Sequence, residues 1–323
     1  MKIIDRKFLD TKTTSCHAST IAFFKGEIVY AYFGGQREGL PDQSIYIQYK
    51  GETKILGRHV RVCYWNPVLF TIGEELFLSY KVGDFCDRWQ SFIVNLTDIE
   101  NIKEPDKIKP QLIPAGLNFC VKTKLLFEDG IIYCGSSVET SLDWSAYIEQ
   151  FKYKDEKFIF INRSRPLTVE KKLYKSMYSK VRESNGILQP TLWKDKSGKL
   201  NAFFRSSKGL DNIYYSCCEN EEWTDPKATE FKNPNASVDV VYFNDRLFLI
   251  HNPSDTWRSP LVLSELDDDF KVIDEIVITE KVGEKERILT KELSYPYLIE
   301  RDGVLYLTYT YGRVKIEYVV IEI

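Results

Sequence analysis

Four arginines stand out because each one follows or closes an apolar, aromatic-rich segment of the sequence. The planar guanidinium of arginine donates two parallel hydrogen bonds, a geometry that matches a carboxylate. Arginines at matched positions of several segments that converge on one opening therefore predict a site for an anionic ligand. They are Arg37 after YFGGQ, Arg205 after AFF, Arg258 in TWRSP and Arg313 after YTYG.

Polar side chains also interrupt the apolar segments that come just before these arginine-bearing ones. A core strand should be apolar throughout, whereas a strand that lines a channel can carry polar groups that water or a ligand satisfies. We interpret these residues as substrate-binding or catalytic groups at similar heights around one channel. The set is His17, Asn66, Lys122 with Lys124, Gln189, Asp239 and Tyr295. Proline directly follows Asn66, Gln189 and Tyr295, as expected near the start of a strand, and this recurrence supports the alignment.

The elements that must position these residues recur six times along the chain. Each unit has an apolar strand, a short turn and a second aromatic-rich strand, followed by a third strand candidate such as SIYIQY or NIYYSC. Such repeats of three or four strands are typical of a β-propeller. We therefore predict an all-β fold, a six-bladed β-propeller that forms a single catalytic domain over residues 1–323. The six turns contain Gly26, Gly73, Gly130, Gly198, Asp245 and Gly303.

The alternative fold is a β-sandwich or a pair of barrels. The regular spacing of the turns, the absence of a linker and the closed number of repeats favour the propeller, which also leaves no long sheet edge exposed. Only the segment near Val169 to Arg182 could form a helical turn.

Composition narrows the function classes. The net charge is -3 and the basic residues are spread evenly, so the chain lacks the basic excess typical of nucleic-acid-binding proteins. No apolar run approaches the ~20 residues that span a bilayer, and MKIIDRKFLD does not resemble a signal peptide. We therefore expect a cytoplasmic protein that binds neither nucleic acid nor membranes.

The seven cysteines are odd in number and irregular in spacing, which favours free thiols over disulfides. The chain has no CxxC pair, and its three histidines share no short spacing. We therefore predict no metal site and no cofactor.

Several of these segments resemble the sialidase (neuraminidase) superfamily, in particular its divergent BNR-repeat-like branch. The resemblance covers nearly the whole chain from about Ser15 and is carried by CHASTI, FGGQREGLPD, WNPVLF, GILQPTL, FFRSS, HNPSDTWRSPLVLS and LSYPYLIERDG. The segment SCCENEEWTDP is similar to a degenerate Asp-box, a turn motif of such blades. The resemblance implies a six-bladed propeller in which three arginines hold a carboxylate, a glutamate activates a nucleophilic tyrosine, and an aspartate is the acid/base.

Carried over by position, the resemblance implies that Tyr295 is the nucleophile and that Asp42 is the acid/base. Arg205 and Arg258 match the second and third arginines of the carboxylate clamp. Two positions depart from the pattern, because His17 stands where the first clamp arginine is expected and Gln189 where the activating glutamate is expected. A neutral amide cannot take a proton from tyrosine, and histidine cannot reproduce the guanidinium fork.

Three functions fit these residues. In an exo-acting glycoside hydrolase, Arg37, Arg205 and Arg258 would bind an acidic sugar, Tyr295 would act at the anomeric carbon and Asp42 would protonate the leaving oxygen, with His17 as base. In a polysaccharide lyase, His17 would be the base and Tyr295 the acid of a β-elimination, and the arginines would stabilise the enolate. In a lectin, the same pocket would bind an acidic glycan without turnover. All three imply an acidic oligosaccharide as partner.

Overall fold

The protein folds into a ring of six antiparallel sheets, and the computed structural model describes residues 1–58, 62–176, 180–283 and 291–323. The predicted six-bladed β-propeller is confirmed. The N-terminal strand is β1 (Lys2–Phe8). Blade 1 contains β2 (Ser15–Phe24), β3 (Glu27–Gly35), β4 (Ser44–Tyr49) and β5 (Glu52–Leu56), and blade 2 contains β6 (Tyr64–Ile72), β7 (Glu75–Val82), β8 (Gln90–Asn95) and β9 (Gln111–Leu112). Blade 3 contains β10 (Leu126–Glu128), β11 (Ile131–Glu139), β12 (Trp144–Lys154) and β13 (Lys157–Arg163), and is followed by the hairpin of β14 (Leu173–Lys175) and β15 (Val181–Glu183).

The second half of the ring repeats the same order. Blade 4 contains β16 (Ile187–Lys194), β17 (Leu200–Ser206), β18 (Asn212–Glu219), β19 (Glu222–Trp223) and β20 (Lys227–Lys232). Blade 5 contains β21 (Asp239–Phe243), β22 (Arg246–His251), β23 (Leu261–Leu266) and β24 (Val272–Thr279), and blade 6 contains β25 (Leu293–Arg301), β26 (Val304–Tyr311) and β27 (Lys315–Glu322). Short 3-10 helices lie at Cys86–Arg88 and Pro105–Lys107.

The six predicted hairpins form the inner two strands of the six blades. Turn chemistry explains them, since Asp129–Gly130 and Asp302–Gly303 have positive φ at both residues, the backbone of a tight hairpin turn. The helical turn expected near Val169 to Arg182 is wrong where that segment is described. Its ends form the β14–β15 hairpin instead, and residues 177–179 lie outside the described part of the chain.

The N-terminal strand closes the ring. β1 pairs antiparallel with β27 and so supplies the outer strand of blade 6, next to the C-terminus of the chain. Arg6 Nε donates to Glu317 Oε1 over 2.8 Å across this junction. This pairing was not predicted from the sequence. It gives blade 6 strands from both ends of the chain and holds blade 1 next to blade 6.

Four inner strands carry the same irregularity. In β2, β6, β16 and β25, two residues face one residue of the neighbouring strand, which defines a β-bulge. One residue of each bulge has positive φ, an uncommon conformation for a side chain with a Cβ. These residues are Ala18 (52°), Asn66 (43°), Gln189 (54°) and Tyr295 (53°).

The bulges correct the predicted alignment of the channel residues. Asn66, Gln189 and Tyr295 do occupy equivalent positions, and each is followed by proline. His17 does not belong to that level, because Ala18 takes the equivalent position in blade 1. His17 lies one residue before the bulge position of β2, so its side chain does not start from the position that Asn66, Gln189 and Tyr295 occupy in their strands.

Asp239 connects the inner strands rather than facing a ligand. It is fully buried. Its Oδ1 accepts hydrogen bonds from Lys124 Nζ (2.6 Å) and Thr191 Oγ1 (2.7 Å), and its Oδ2 accepts one from the Leu298 backbone N–H (2.8 Å). The predicted substrate-binding role therefore disagrees with the structure, since both carboxylate oxygens are already bonded inside the fold.

Each of the seven cysteines is a free thiol, and five are buried. Within the described ranges, no helix is long and apolar enough to cross a membrane.

The Asp239 contacts lead to a stability prediction. Asp239→Ala should lower the free energy of unfolding by about 3–5 kcal/mol, because it leaves Lys124 without its buried partner. Equilibrium unfolding in urea, followed by tryptophan fluorescence, measures the change. Asp268→Ala is the matched control, because it removes an exposed pair with Lys196 and should leave the midpoint nearly unchanged. Equal midpoints for the two variants would contradict the connecting role of Asp239.

Candidate active site

Tyr295 is half-buried at the bulge of β25, where blade 6 meets blade 1. Its phenolic oxygen accepts a hydrogen bond from Arg205 Nη1 over 2.8 Å. Its ring lies against the imidazole of His17, with the two ring centroids 4.1 Å apart. The positive φ of the bulge, the guanidinium and the imidazole together hold the hydroxyl group in one place, as a nucleophile or proton donor requires.

Arg205 lies near the end of β17 and is 6% exposed. Besides Tyr295, it donates from Nη1 to Gln189 Oε1 over 3.1 Å and from Nε to Asn235 Oδ1 over 2.9 Å. All three acceptors are neutral, and within the described ranges Arg205 has no carboxylate at ion-pair distance. A nearly buried guanidinium without a counter-ion is a strong attractor for an anionic ligand.

Arg258 and Arg313 share one carboxylate, that of Glu292. Glu292 Oε2 lies 3.4 Å from Arg258 Nη1, and Glu292 Oε1 lies 2.9 Å from Arg313 Nε. Ser294 Oγ also donates to Glu292 Oε1 over 2.7 Å. Burial lowers the pKa of Arg258, and it lowers the pKa of Arg313 to about 10. Glu292 therefore compensates two guanidinium groups that are costly to desolvate.

Glu292 was not predicted from the sequence. The only available signal was its place three residues before Tyr295, because the carboxylate was not part of any repeated pattern. A second acidic residue, Glu38, lies on the loop with Arg37 and Asp42 and forms an ion pair with Arg313.

Arg313, and not Arg37, is the third arginine of the cluster. Arg37 is exposed on the loop after β3, and its side chain forms no hydrogen bond or ion pair within the described ranges. Arg313 lies in the turn between β26 and β27 with φ 61°, and this backbone directs its side chain to Glu292. The predicted clamp of Arg37, Arg205 and Arg258 thus becomes a cluster of Arg205, Arg258 and Arg313.

His17 is 2% exposed and lies among these cations. Burial lowers its pKa well below the usual value, and the positive charges of Arg313, Arg258 and other nearby cations lower it further. Its Nδ1 lies 2.9 Å from Thr310 Oγ1 and 3.9 Å from the Glu292 carboxylate. Its Nε2 is buried without a hydrogen-bond partner in the described ranges. A proton on Nδ1, favoured by the carboxylate, leaves the lone pair of Nε2 free to accept one.

Lys122 is a further cation near Tyr295. It is fully buried and its Nζ is 3.4 Å from the carbonyl oxygens of Ser19 and Pro296. Burial lowers its pKa to about 7. Its Nζ is 5.9 Å from the Tyr295 ring centroid, so it adds positive charge beneath the ring but has no open path to a ligand.

Asn66 is also buried, at the bulge of blade 2, and its side chain makes no hydrogen bond to the cluster.

Asp42 is exposed on the loop that follows β3. Its Oδ2 accepts a hydrogen bond from the Gln36 backbone N–H over 2.8 Å, an arrangement that stabilises the loop. No hydrogen bond or ion pair joins it to Tyr295 or the arginines in the described part of the chain. Its acid/base role stays a prediction.

Glu139, at the end of β11, is half-buried near Arg205 and Arg258. Burial raises the pKa of its carboxyl, while the two arginines lower it.

Within the described ranges, no group of three or more His, Cys, Asp or Glu side chains could hold a metal ion.

The family of the chain is decided by a match over most of its length. Residues 26–307 match the family described as BNR repeat-like domain. The chain belongs to this family. No curated protein sequence matches it.

Solved structures resemble this BNR repeat-like propeller at low sequence identity, which shows the fold alone. A protein of unknown function from Dyadobacter fermentans has a TM-score of 0.72 at 12% identity, and the alignment covers 100% of this chain and 99% of that one. A sialidase of Trypanosoma rangeli in complex with the inhibitor DANA has a TM-score of 0.65 at 11% identity, with 96% and 55% covered. An α-L-arabinanase of Penicillium chrysogenum complexed with arabinobiose has a TM-score of 0.58 at 11% identity, with 97% and 95% covered. The chain thus spans about half the length of that sialidase.

Two buried histidines give a pH prediction. His17 should stay neutral well below pH 6.5, and His251 should titrate near pH 4, because burial lowers the pKa of both. The unfolded chain binds these protons near pH 6.5, so their contribution to stability is present above about pH 6.5 and is lost as the pH falls. Ring 13C and 15N shifts measure the titration and the tautomer, with His17→Gln and His251→Gln to assign signals. A midpoint near 6.5 for His17 would show that its ring is not desolvated.

Proposed function

We propose that the chain is a sialidase-like, exo-acting glycoside hydrolase that cleaves the bond of an acidic sugar at the end of an oligosaccharide. One observation carries the proposal. The nearly buried Arg205 has no carboxylate partner in the described part of the chain and donates a hydrogen bond directly to the hydroxyl of Tyr295. This pairing supports the binding of a substrate carboxylate within reach of a nucleophilic oxygen.

In the proposed reaction, the sugar carboxylate binds Arg205 and the Arg258–Arg313 pair that Glu292 holds. The Tyr295 oxygen bonds to the anomeric carbon, or stabilises its positive charge, while the glycosidic C–O bond breaks. The tyrosine proton passes to Nε2 of His17, whose ring lies against the tyrosine ring and which has no other hydrogen-bond partner in the described part of the chain. Asp42 donates a proton to the leaving oxygen, and water then releases the sugar and restores the tyrosine.

A second candidate function is a lyase, favoured by the amide beside Tyr295. Gln189 Oε1 accepts a hydrogen bond from Arg205 where a glycosidase would use a glutamate to activate the tyrosine. In a β-elimination, neutral His17 would take the proton next to the carboxylate, a C=C bond would form as the C–O bond breaks, and Tyr295 would protonate the leaving oxygen. The arginines would stabilise the enolate charge.

Product analysis separates the candidates. Acidic oligosaccharides ending in a sialic acid or a uronic acid should be shortened by one acidic sugar, and the two products together should contain the mass of one added water. Mass spectrometry and ultraviolet absorption measure this. Products with no added water and the absorption of an unsaturated uronate would instead establish the lyase. Binding without any product would leave a lectin.

Two variants test the site itself. Tyr295→Phe and Arg205→Lys should each lower kcat/KM by about 100-fold or more, because they remove the reacting oxygen or the fork that holds the carboxylate. Arg301→Lys is the control, since this partly exposed arginine is the last residue of β25 and pairs with Asp302. Rates measured on the same oligosaccharide, after matching folded fractions by circular dichroism, check the prediction. Unchanged turnover in Tyr295→Phe would remove Tyr295 from either mechanism.

A further inference from the structure

A cavity of about 480 Å³ opens between the loops of blades 2 and 3, beside the arginine cluster. Its walls include Phe85, Arg88, Glu139, Trp144 and Asn185. Its volume lies within the roughly 300–1,000 Å³ of small-molecule sites. Trp144 joins the cavity to the cluster, because the Arg205 guanidinium lies 5.6 Å from its ring centroid. A ligand held at Arg205 can therefore extend into this space.

Two polar groups of the cavity wall lack partners. Within the described ranges, neither the Glu139 carboxyl nor the indole N–H of Trp144 forms a hydrogen bond or ion pair with the protein. Trp144 is 9% exposed, and Glu139 is shielded enough that burial raises the pKa of its carboxyl. Neither group is among the polar atoms that are sealed from solvent without a partner, so both are open to a ligand in the cavity. The pair offers an acceptor and a donor at once, which is the complement of a hydroxyl or a secondary amide.

The cavity lining also includes an exposed phenylalanine. Phe85 is 64% exposed and stands at the edge of the cavity, with the Arg88 guanidinium 5.9 Å from its ring centroid. An exposed ring beside polar groups suits a molecule with one apolar face and several hydroxyls, such as a sugar or a polyhydroxylated chain. Nearby Cys86 adds no charge, since burial raises the pKa of its thiol to about 11.

The charges of the cavity differ from those of the arginine cluster. Glu139 and Asp87 supply two carboxyl groups against the single guanidinium of Arg88. A second anionic group on the ligand would therefore gain little here, whereas an anionic group is attracted by Arg205, which lies next to Trp144, and by the arginines of its cluster. The arginine cluster and the cavity therefore suit two different parts of one ligand, an acidic end and an uncharged portion.

We propose that this cavity binds an uncharged, hydroxyl-bearing portion of the ligand whose acidic group lies at Arg205, with Phe85 as the stacking surface and Glu139 and Trp144 as hydrogen-bonding partners. The inference rests on the proposed function for the position of the acidic group. The portion is either a polyhydroxylated substituent of the acidic sugar itself or the neighbouring sugar of the oligosaccharide.

Binding measurements distinguish these sources. Isothermal titration with methyl glucuronide, N-acetylneuraminic acid and a disaccharide of glucuronic acid with a neutral sugar compares a bare acidic ring, a ring with a polyhydroxylated side chain and a ring with a neighbour. Tyr295→Phe serves as the parent so that no ligand is consumed. In this background, Phe85→Ala should weaken the relevant ligand by about ten-fold and leave methyl glucuronide unchanged. Glu139→Gln should weaken the relevant ligand by about ten-fold relative to methyl glucuronide, because the charge of Glu139 acts on Arg205 and Arg258 with every acidic ligand.

The matched control is Phe127→Ala, which removes an exposed phenylalanine of β10 that does not line the cavity. Weakening of N-acetylneuraminic acid assigns the cavity to the substituent, and weakening of the disaccharide alone assigns it to the neighbouring sugar. If the parent binds these ligands and both cavity variants match Phe127→Ala, the inference is overturned while the proposed function stands. Equal weakening of all three ligands also overturns it. If the parent binds none of the acidic ligands, the proposed function fails and the inference falls with it.

Discussion

The pairing of β1 with β27 is the constraint on which the site depends. His17 belongs to the first blade and Tyr295 to the last, and their rings meet where the inner strands β2 and β25 lie side by side, at the two blades that the N-terminal strand joins. The same junction brings Thr310 of β26 to within 2.9 Å of His17 Nδ1. The candidate chemistry thus lies at the seam of the ring, and the local geometry of the site is a direct product of ring closure.

Once the ring is closed, charge balance decides how the site is arranged. Three arginines at one end of a channel repel each other, and their burial makes this repulsion expensive. Glu292 and Glu38 together balance Arg258 and Arg313, while Arg205 donates to the neutral oxygens of Tyr295, Gln189 and Asn235. The same surroundings keep His17 uncharged. The protein therefore maintains one unbalanced positive charge at the point where a carboxylate would bind.

Much of this fold follows from the sequence because its information is local. Hairpin turns, alternating apolar residues and the recurrence of proline after Asn66, Gln189 and Tyr295 depend on neighbours along the chain, and all six inner hairpins were predicted from them. The pairing of β1 with β27 could not be predicted in this way, since it joins residues about 300 positions apart.

The candidate site was predicted less completely than the fold. Arg205, Arg258 and Tyr295 could be named from position and resemblance, but Glu292 has no counterpart in the repeats. Arg37 and Arg313 were both predicted from their places after strands, yet only the three-dimensional geometry shows that Arg313 is the one that reaches the cluster. Aspartate is a common ligand-binding residue, which is why Asp239 was predicted to bind substrate. Its burial and its hydrogen bonds to four neighbouring residues can be seen only in the folded chain.

The repeated bulge in four inner strands has a broader consequence. Ala18, Asn66, Gln189 and Tyr295 have nearly the same backbone conformation in four separate blades, so the scaffold provides four equivalent sockets around one axis. Their backbone geometry tolerates a methyl group, two amides and a phenol. A substitution at one of these four positions would therefore change the side chain that faces the channel without altering the strands that support it. The propeller backbone can thus stay constant while the groups that contact a ligand change.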